Sequence, residues 1–240
     1  MIKSIFIILW IIINTVVFSL TAIGASFFSR TGNSVHKIGQ WWANSILWVA
    51  GIKVQARGIE NLDPNKPFVF MCNHQSNFDI LVLFSALPAQ FRWIAKAELF
   101  KIPLFGQSMR GAGYISIERK DRKKAIQSLK QAAERIKTGT SVMIFPEGTR
   151  SPDGNIGEFK KGGFVLAYDA GVPVIPIVLN GTWSIMSKDS LRIKPGKVIL
   201  SVLPSVNIED YPKAEKSRLI DDVREKIVKE FEANKTLIEE

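Results

Sequence analysis

A histidine and an aspartate in the first third of the chain have the spacing of a base and its supporting carboxylate. His74 and Asp79 stand five positions apart, and His74 is one of only two histidines. Histidine titrates near neutral pH, so its imidazole can take a proton from a substrate. A carboxylate on the other ring nitrogen orients the imidazole and stabilises its charged form. The pair therefore predicts general-base chemistry.

The same residues have a structural alternative. Ser76 and Asp79 stand three positions apart before an apolar run, which is the pattern of a capping box at a helix start. His74 would then be a histidine with a structural role, its ring nitrogens hydrogen-bonded within the fold. The segment follows an apolar, strand-like run at residues 68–72, and loops after strands are the usual sites of α/β folds. That position favours chemistry, although the spacing alone does not decide between the two interpretations.

Two further segments can bind an anion. Arg119 follows a strand-like run and opens the basic run 119–124 at the start of a predicted helix, where a phosphate is favoured. In residues 145–150, Gly148 permits a tight turn whose N–H groups can face an anion, and Arg150 offers a bidentate guanidinium. A solvated charge run and an ordinary surface turn with a Glu–Arg pair are the structural alternatives.

A proline-containing segment begins another strand-like run. Residues 172–176 read Val-Pro-Val-Ile-Pro. Proline cannot donate to the hydrogen-bond ladder, so Pro176 predicts an edge strand or a bulge. On physical grounds alone, a structural edge strand is favoured.

Strand-like and helix-like runs alternate through these segments. The strand-like runs are residues 68–72, 91–95, 114–117, 141–145, 174–179 and 198–203. Helical periodicity covers residues 121–138, 163–170 and 217–231. The alternation predicts an α/β domain with a mixed, largely parallel sheet flanked by helices.

The N-terminal part of the chain is apolar. No charged residue occurs in the 24 positions from Ile5 to Phe28, a length of about 36 Å as a helix and enough to cross a hydrocarbon core. A second apolar stretch, residues 38–52, carries three tryptophans that suit a membrane interface, Trp41, Trp42 and Trp48. Residues 1–53 are predicted to form a membrane-embedded helical hairpin and residues 54–240 the α/β domain. A spanning first helix and a cleaved signal peptide are the alternatives.

Charge and composition narrow the functional classes. A net charge of +10 and a pI of about 9.7 favour anionic partners. The only cysteine, Cys72, lies in an apolar run and is predicted to be a buried thiol. The sequence has no Gly-x-Ser-x-Gly elbow, dinucleotide fingerprint, phosphate loop, zinc spacing or recognised nucleic-acid motif.

Four segments, taken in order, resemble the glycerolipid acyltransferases. They are Asn73-His74-x4-Asp79, Gly113-x5-Arg119, Phe145-Pro146-Glu147-Gly148-Thr149-Arg150 and Val172-Pro173-x2-Pro176. The sequence is most similar to the 1-acylglycerol-3-phosphate, PlsC-like acyltransferases, over roughly residues 69–181, and the apolar N-terminal pair resembles that family's membrane anchor. The second segment has Ser116 and Glu118 where an apolar residue and often Asp are usual, which leaves Arg119 in place.

The resemblance implies the glycerolipid acyltransferase fold and a direct acyl transfer. A fatty acyl group would pass from a coenzyme A or acyl-carrier-protein thioester to the sn-2 hydroxyl of lysophosphatidate, giving phosphatidate. His74 would be the general base and Asp79 its support, with no acyl-enzyme. The implied phosphate-holding residues are Lys96, Arg119, Glu147, Gly148, Thr149 and Arg150. The implied acyl-side residues are Val172, Pro173 and Pro176.

Other functions remain open at this point. An acyltransferase of the same superfamily could use glycerol-3-phosphate, another lysophospholipid or an aminoacyl lipid, and a non-catalytic protein could bind anionic lipids. Membrane lipids, lysophosphatidate and the acyl-CoA or acyl-carrier-protein donor are the expected partners, without nucleic acid, metal or other cofactor. Cytosolic donors and the lack of a disulfide pair place the α/β domain on the cytoplasmic face of a bacterial inner membrane. The sequence does not indicate the oligomeric state.

Overall fold

A seven-stranded sheet with helices on both faces follows two N-terminal helices. The computed structural model describes residues 2–63, 65–118 and 121–239. The helices are α1 (Ile2–Ser26), α2 (Asn33–Ala50), α3 (Phe78–Ala86), α4 (Phe105–Gly111), α5 (Arg122–Lys137), α6 (Gly162–Ala170), α7 (Thr182–Ile185) and α8 (Lys216–Glu239). The strands are β1 (Ile52–Arg57), β2 (Val69–Cys72), β3 (Phe91–Lys96), β4 (Ile115–Ile117), β5 (Ser141–Ile144), β6 (Val174–Asn180) and β7 (Gly196–Val202).

The sheet is mixed and largely parallel, which confirms the predicted fold class. Its strand order is β1-β7-β6-β2-β5-β3-β4. Every neighbouring pair is parallel except β6 and β7, which are antiparallel. Strands β2, β5 and β6 are buried along their whole length. Burial on both faces explains why these strands read as continuous apolar runs rather than alternating ones.

Successive residues of the central strands enter two different cores. Phe70 and Cys72 of β2 belong to the core beneath α2 and α3, whereas Val69 and Met71 belong to the core beneath α5, α6 and α8. This alternation is the two-residue period of a strand. Strand β2 thus contributes side chains to both cores. The chain leaves it at Cys72, two residues before His74.

Strand β1 was not predicted from the sequence. It pairs in parallel with β7, from Ile52 opposite Gly196 to Arg57 opposite Ser201. Three of its six residues are charged or amide side chains, so it lacks the apolar run that marks the central strands. It is an edge strand, and no other strand of the described residues lies along one side of its backbone. Ile52 and Lys53 belong to this strand although they fall on the anchor side of the predicted boundary at residue 54.

The edge-strand prediction for Pro176 was wrong. Strand β6 lies between β2 and β7 in the middle of the sheet. Val174 pairs with Val206 and Ile177 pairs with Val202. The three-residue advance from Val174 to Ile177 therefore lies opposite a four-residue advance from Val202 to Val206. The extra residue beside Pro176 interrupts the ladder where proline has no N–H to donate. The prediction had named a bulge as the other way to accommodate this proline.

Helices α1 and α2 form a hairpin that packs on the α/β domain along its length. Asn14 Nδ2 donates to the carbonyl of Trp42 at 3.3 Å, and Trp42 Nε1 donates to Thr15 Oγ1 at 3.0 Å. Buried residues of both helices, among them Ile7 and Ile46, share the core that includes Phe70. Trp41 and Trp48 are exposed, as expected for interface residues, whereas Trp42 turns inward.

The outward side of α1 is a continuous apolar stripe. Among the described residues, α1 is the one helix long and apolar enough to cross a membrane by length and composition. Its exposed positions recur at helical spacing, and we call them the α1 stripe: Ile5, Phe6, Leu9, Ile12, Ile13, Val16, Val17 and Leu20. Large exposed apolar surfaces of this kind mark contact with a membrane or a partner.

Candidate active site

Four adjacent strands end at one edge of the sheet, and the predicted site residues follow them. His74 comes two residues after β2, Phe145 comes directly after β5, and Lys96 is the last residue of β3. The fourth strand, β4, ends at Ile117. Because β2, β5, β3 and β4 are parallel neighbours, their carboxyl ends meet at the same edge, where α/β folds place their sites.

His74 and Asp79 form the predicted pair. His74 Nδ1 lies 2.7 Å from Asp79 Oδ2. The same carboxylate oxygen accepts the backbone N–H groups of Gln75 at 2.6 Å and Ser76 at 2.8 Å. Asp79 is fully buried, while the His74 side chain keeps 15% of its surface exposed. Asp79 therefore shapes the start of α3 and orients the imidazole at once, so the structural and chemical interpretations do not exclude each other.

Aromatic rings fix the plane of the imidazole. The ring of His74 stacks on Phe145 with centroids 3.8 Å apart and an interplanar angle of 8°. Trp93 stacks behind Phe145 at 5.6 Å. Since Nδ1 is held by Asp79, a proton placed on Nδ1 leaves Nε2 with its lone pair available. The arrangement can take a proton from a hydroxyl that approaches Nε2.

The loop 145–151 encloses the backbone of His74. The N–H of His74 donates to Glu147 Oε1 at 2.7 Å, and the N–H of Ser151 donates to the carbonyl of His74 at 2.8 Å. The second oxygen of Glu147 accepts the N–H of Gly157 at 2.9 Å. Burial raises the pKa of the Glu147 carboxyl, and the two backbone donors partly offset that rise. Both oxygens of Glu147 are therefore engaged inside the protein.

The remaining residues of this turn lie further out. Gly148 has φ 73°, in the left-handed region that glycine adopts freely. Thr149 is exposed. Arg150 is half-buried, and its Nη1 donates to the carbonyl of Lys188 at 2.8 Å. Part of the guanidinium that was predicted to hold phosphate thus supports the loop after α7.

Lys160 is a further candidate site residue, which was not predicted from the sequence. Its backbone N–H donates to the carbonyl of Pro146 at 2.9 Å. A side chain at Gly148 would bring its Cβ to 2.9 Å from Lys160 Nζ, so the ammonium lies directly over the turn. The signal in the sequence is the adjacent cations Lys160 and Lys161 downstream of the turn, but the close approach to Gly148 depends on folding.

Lys96 and Arg119 are the other two residues predicted to bind phosphate. Lys96 is exposed at the end of β3, with its Nζ 4.0 Å from Glu98 Oε1. It stands opposite Ile117 at the end of β4. Arg119, the strongest predicted phosphate ligand, lies outside the described residues.

The predicted acyl-side segment is not brought next to His74. The carbonyl of Pro173 accepts the N–H of Val69 at the start of β2, at the opposite end of that strand from His74. The chain makes five residue steps from Val69 to His74, which corresponds to about 16 Å of extended chain. Pro176 is level with Met71. Val172 is buried in the core under α5, α6 and α8.

Cys72 lies next to the site but is not available as a nucleophile. It is buried, and burial raises the pKa of its thiol well above the usual range, with Asp79 and Glu147 adding to the effect. A thiol that stays protonated is a poor nucleophile. No group of three or more metal-ligating side chains occurs among the described residues. The His74–Asp79 pair is the arrangement at this edge of the sheet whose geometry suits proton transfer.

Comparisons with known proteins identify the class. The sequence model of the acyltransferase family matches residues 53–180, and the chain belongs to this family. The fold resembles the crystal structure of the 1-acyl-sn-glycerophosphate acyltransferase PlsC from Thermotoga maritima, with a TM-score of 0.83, 28% identity, and coverage of 98% of this chain and 95% of that one.

Two relatives extend the comparison to eukaryotes. A chloroplastic 1-acyl-sn-glycerol-3-phosphate acyltransferase of Brassica napus is 43% identical over 156 residues, which are 65% of this chain and 45% of that protein. The alpha form of 1-acyl-sn-glycerol-3-phosphate acyltransferase from Mus musculus is 37% identical over 186 residues, 77% of this chain and 65% of that protein. The chain thus spans less than two thirds of the length of each of these relatives.

Proposed function

We propose that the protein transfers a fatty acyl group from a thioester donor to the sn-2 hydroxyl of 1-acylglycerol-3-phosphate, forming phosphatidate. The observation that carries this proposal is the 2.7 Å contact between His74 and the buried Asp79. It lies in a member of the acyltransferase family whose relatives are named for this reaction. Acyl-coenzyme A or acyl carrier protein is the proposed donor.

His74 acts as the base on the acceptor hydroxyl. As Nε2 takes the hydroxyl proton, the oxygen attacks the thioester carbonyl and a carbon–oxygen bond forms. The tetrahedral intermediate then expels the thiolate, and the imidazolium returns the proton to sulfur. Asp79 holds Nδ1–H and stabilises the imidazolium between these steps. No side chain needs to be acylated, which suits a site whose only cysteine is buried.

Cations around the turn hold the acceptor phosphate. We assign this role to Lys96, Arg119 and Arg150, with the backbone of Gly148 and Thr149 and with the ammonium of Lys160. Charge-assisted hydrogen bonds to phosphate are about twice as strong as neutral ones. Glu147 has a different part, because a carboxylate repels phosphate and both of its oxygens are engaged. It braces the turn against His74.

The acyl-side segment acts through β6. Val172 and Pro173 directly precede β6, the strand that flanks β2, and Asn73 exchanges two hydrogen bonds with the backbone of Leu179 near the end of that strand. A correctly placed β6 therefore fixes Asn73, the neighbour of His74. We therefore assign Val172 and Pro173 a positioning role on the acyl side, exerted through β6.

The α1–α2 hairpin brings the site to its lipid substrate. Its apolar α1 stripe and the exposed Trp41 and Trp48 suit burial in one leaflet. Because α1 also packs against α2 and α4, one side of the helix is covered by protein and the other is free for lipid. We place the α/β domain on the cytoplasmic face of a bacterial inner membrane, where thioester donors are available.

An acceptor panel tests this function. The purified protein is given acyl-coenzyme A or acyl carrier protein with 1-acylglycerol-3-phosphate, glycerol-3-phosphate and a lysophospholipid that carries a substituted phosphate. We expect phosphatidate from the first acceptor at the highest kcat/KM. Equal or greater turnover of another acceptor would replace the proposed substrate, and a lack of turnover on all acceptors with active donors would contradict acyl transfer.

A further inference from the structure

A cavity with a mixed polar and apolar lining lies beside the loop that follows α7, on the other flank of His74 from Lys96. It has a volume of about 240 Å³. We call it the headgroup cavity, and the residues that matter for its chemistry are Trp183, Ser184, Ser187, Ser190, Arg192 and Lys194. Two cations and three hydroxyls around one small space are donors that match the oxygens of a phosphate group.

The two cations have no competing carboxylate. Among the described residues, neither Arg192 nor Lys194 takes part in an ion pair, and no acidic residue lines the cavity. Two cations that line one small cavity repel each other, and an anion bound there relieves that repulsion. The cavity therefore favours an anionic ligand.

An exposed leucine and the α1 helix flank this cavity. Leu191, directly before Arg192, is 78% exposed. Ser4 Oγ of α1 donates to the carbonyl of Ile193 at 3.3 Å and accepts the N–H of Ile193 at 3.1 Å. The loop is thus tied to the end of α1 where the α1 stripe begins, and the exposed Phe6 lies within one turn of Ser4. Apolar and phosphate-binding surfaces meet here, as they do at the headgroup level of a bilayer.

The same segment supports the active site. The carbonyl of Lys188 accepts Arg150 Nη1, and the carbonyl of Met186 accepts Ser76 Oγ at 2.6 Å. Trp183 packs so closely on Gly154 that a Cβ there would lie 3.1 Å from its ring. A ligand that steadies this loop therefore also steadies the turn around His74.

We propose that the headgroup cavity is a second, non-catalytic site for the phosphate of an anionic bilayer phospholipid, with Leu191 inserted among the acyl chains beside it. It lies beyond β6, whereas Lys96 lies beyond β5 on the other side of β2, so it is separate from the Lys96 side of the acceptor site. The occupant is a lipid of the membrane rather than the substrate. Continuity with the α1 stripe is the reason to assign the phosphate to a bilayer lipid.

A single label tests the insertion of Leu191. Cys72 is the only cysteine and is buried, so a polarity-sensitive fluorophore attached to Leu191→Cys reports this loop alone. On vesicles that contain phosphatidylglycerol we expect a blue shift of emission and quenching by nitroxide-labelled acyl chains. The control is Glu225→Cys on α8, whose label should stay in water. A label at position 191 that remains in water while the protein floats with the vesicles would overturn the proposal.

A matched charge pair tests the cations. Arg192→Gln/Lys194→Gln should bind these vesicles about thirtyfold more weakly, because a cation near an anionic surface contributes about fivefold. Lys226→Gln/Lys229→Gln removes the same charge from exposed positions of α8 and should change binding less than threefold. Equal losses in the two pairs would show general electrostatic attraction and would contradict a site.

Soluble anions separate the two possible sources of phosphate. Millimolar inorganic phosphate or glycerol-3-phosphate, added without vesicles, should shift the melting temperatures of the parent protein and of Arg192→Gln/Lys194→Gln by the same amount. Stabilisation of the parent alone would identify a free phosphate as the ligand and overturn the assignment to lipid. These measurements do not depend on turnover, so a failure of the proposed function would leave their outcome intact.

Discussion

The surroundings of His74 and the outward side of α1 are opposite kinds of surface. Around His74, Asp79 Oδ2 collects three donors and Glu147 collects two, all at 2.6–2.9 Å. The α1 stripe has eight exposed apolar side chains and no charged residue. Proton transfer requires fixed atoms, because misplacing a base by 1 Å costs about a hundredfold in rate. Lipid contact requires only apolar area.

This contrast predicts different sensitivities to substitution. A change of one atom near His74 should be costly, whereas the α1 stripe should tolerate any apolar replacement and lose function only with accumulated polarity. The loop after α7 combines the two kinds of surface, because it carries the exposed Leu191 and also accepts a hydrogen bond from Arg150.

Among substitutions that distinguish the two surfaces, Asp79→Asn is expected to have the largest effect, and this effect is on kcat. Asp79→Asn keeps the shape of the side chain and removes the charge that stabilises the imidazolium, so kcat should fall by about 10²–10⁴-fold. The measurement is the steady-state rate of phosphatidate formation. Asp221→Asn, at an exposed position of α8, is the matched control and should keep the parent rate. A rate for Asp79→Asn within threefold of the parent would remove Asp79 from the mechanism.

A smaller effect is expected for the α1 stripe, and it concerns membrane binding rather than catalysis. Leu9 and Ile13 are 54% and 60% exposed, and each contributes on the order of 1 kcal/mol when it leaves water. Leu9→Gln/Ile13→Gln should therefore weaken partition into neutral vesicles by about thirtyfold, measured by co-flotation. Ile102→Gln/Ile126→Gln, also at exposed apolar positions, should weaken it less. If both pairs reduced partition equally, α1 would not be the principal membrane contact.

The smallest effect is expected at Lys160 and should appear in KM. Loss of one charge-assisted hydrogen bond to phosphate should raise the KM for the acceptor about tenfold in Lys160→Met, with kcat nearly unchanged. The neighbouring Lys161→Met removes the same charge from an exposed side chain and should leave KM within twofold. Should the two variants behave alike, the position of Lys160 over Gly148 would have no part in binding.

The sequence predicted features that arise from neighbouring residues. His74 and Asp79 meet because five positions of a loop and the first turn of α3 bring them together. The central strands were predicted because their burial leaves an apolar run. Asp121 was expected near the start of a helix, and its side chain accepts the N–H of Lys124 as the N-cap of α5.

Features that depend on distant residues could not be predicted. Glu147 contacts the backbone of a residue 73 positions away, and nothing in its own neighbourhood shows that the carboxylate would turn inward. Strand β1 exists because β7 offers it an edge. Pro176 is tolerated inside the sheet because of an extra residue in the neighbouring segment, not because of its own sequence context.

The most direct test of the account compares the parent protein with His74→Ala in acyl transfer to 1-acylglycerol-3-phosphate. Melting temperature and vesicle binding of the two proteins are matched first, so that a loss of rate reports chemistry. The account predicts phosphatidate from the parent and a rate at least a thousandfold lower from His74→Ala, because the base is gone while substrate binding remains. Equal turnover by both proteins would contradict the central claim that His74 takes the proton of the acceptor hydroxyl.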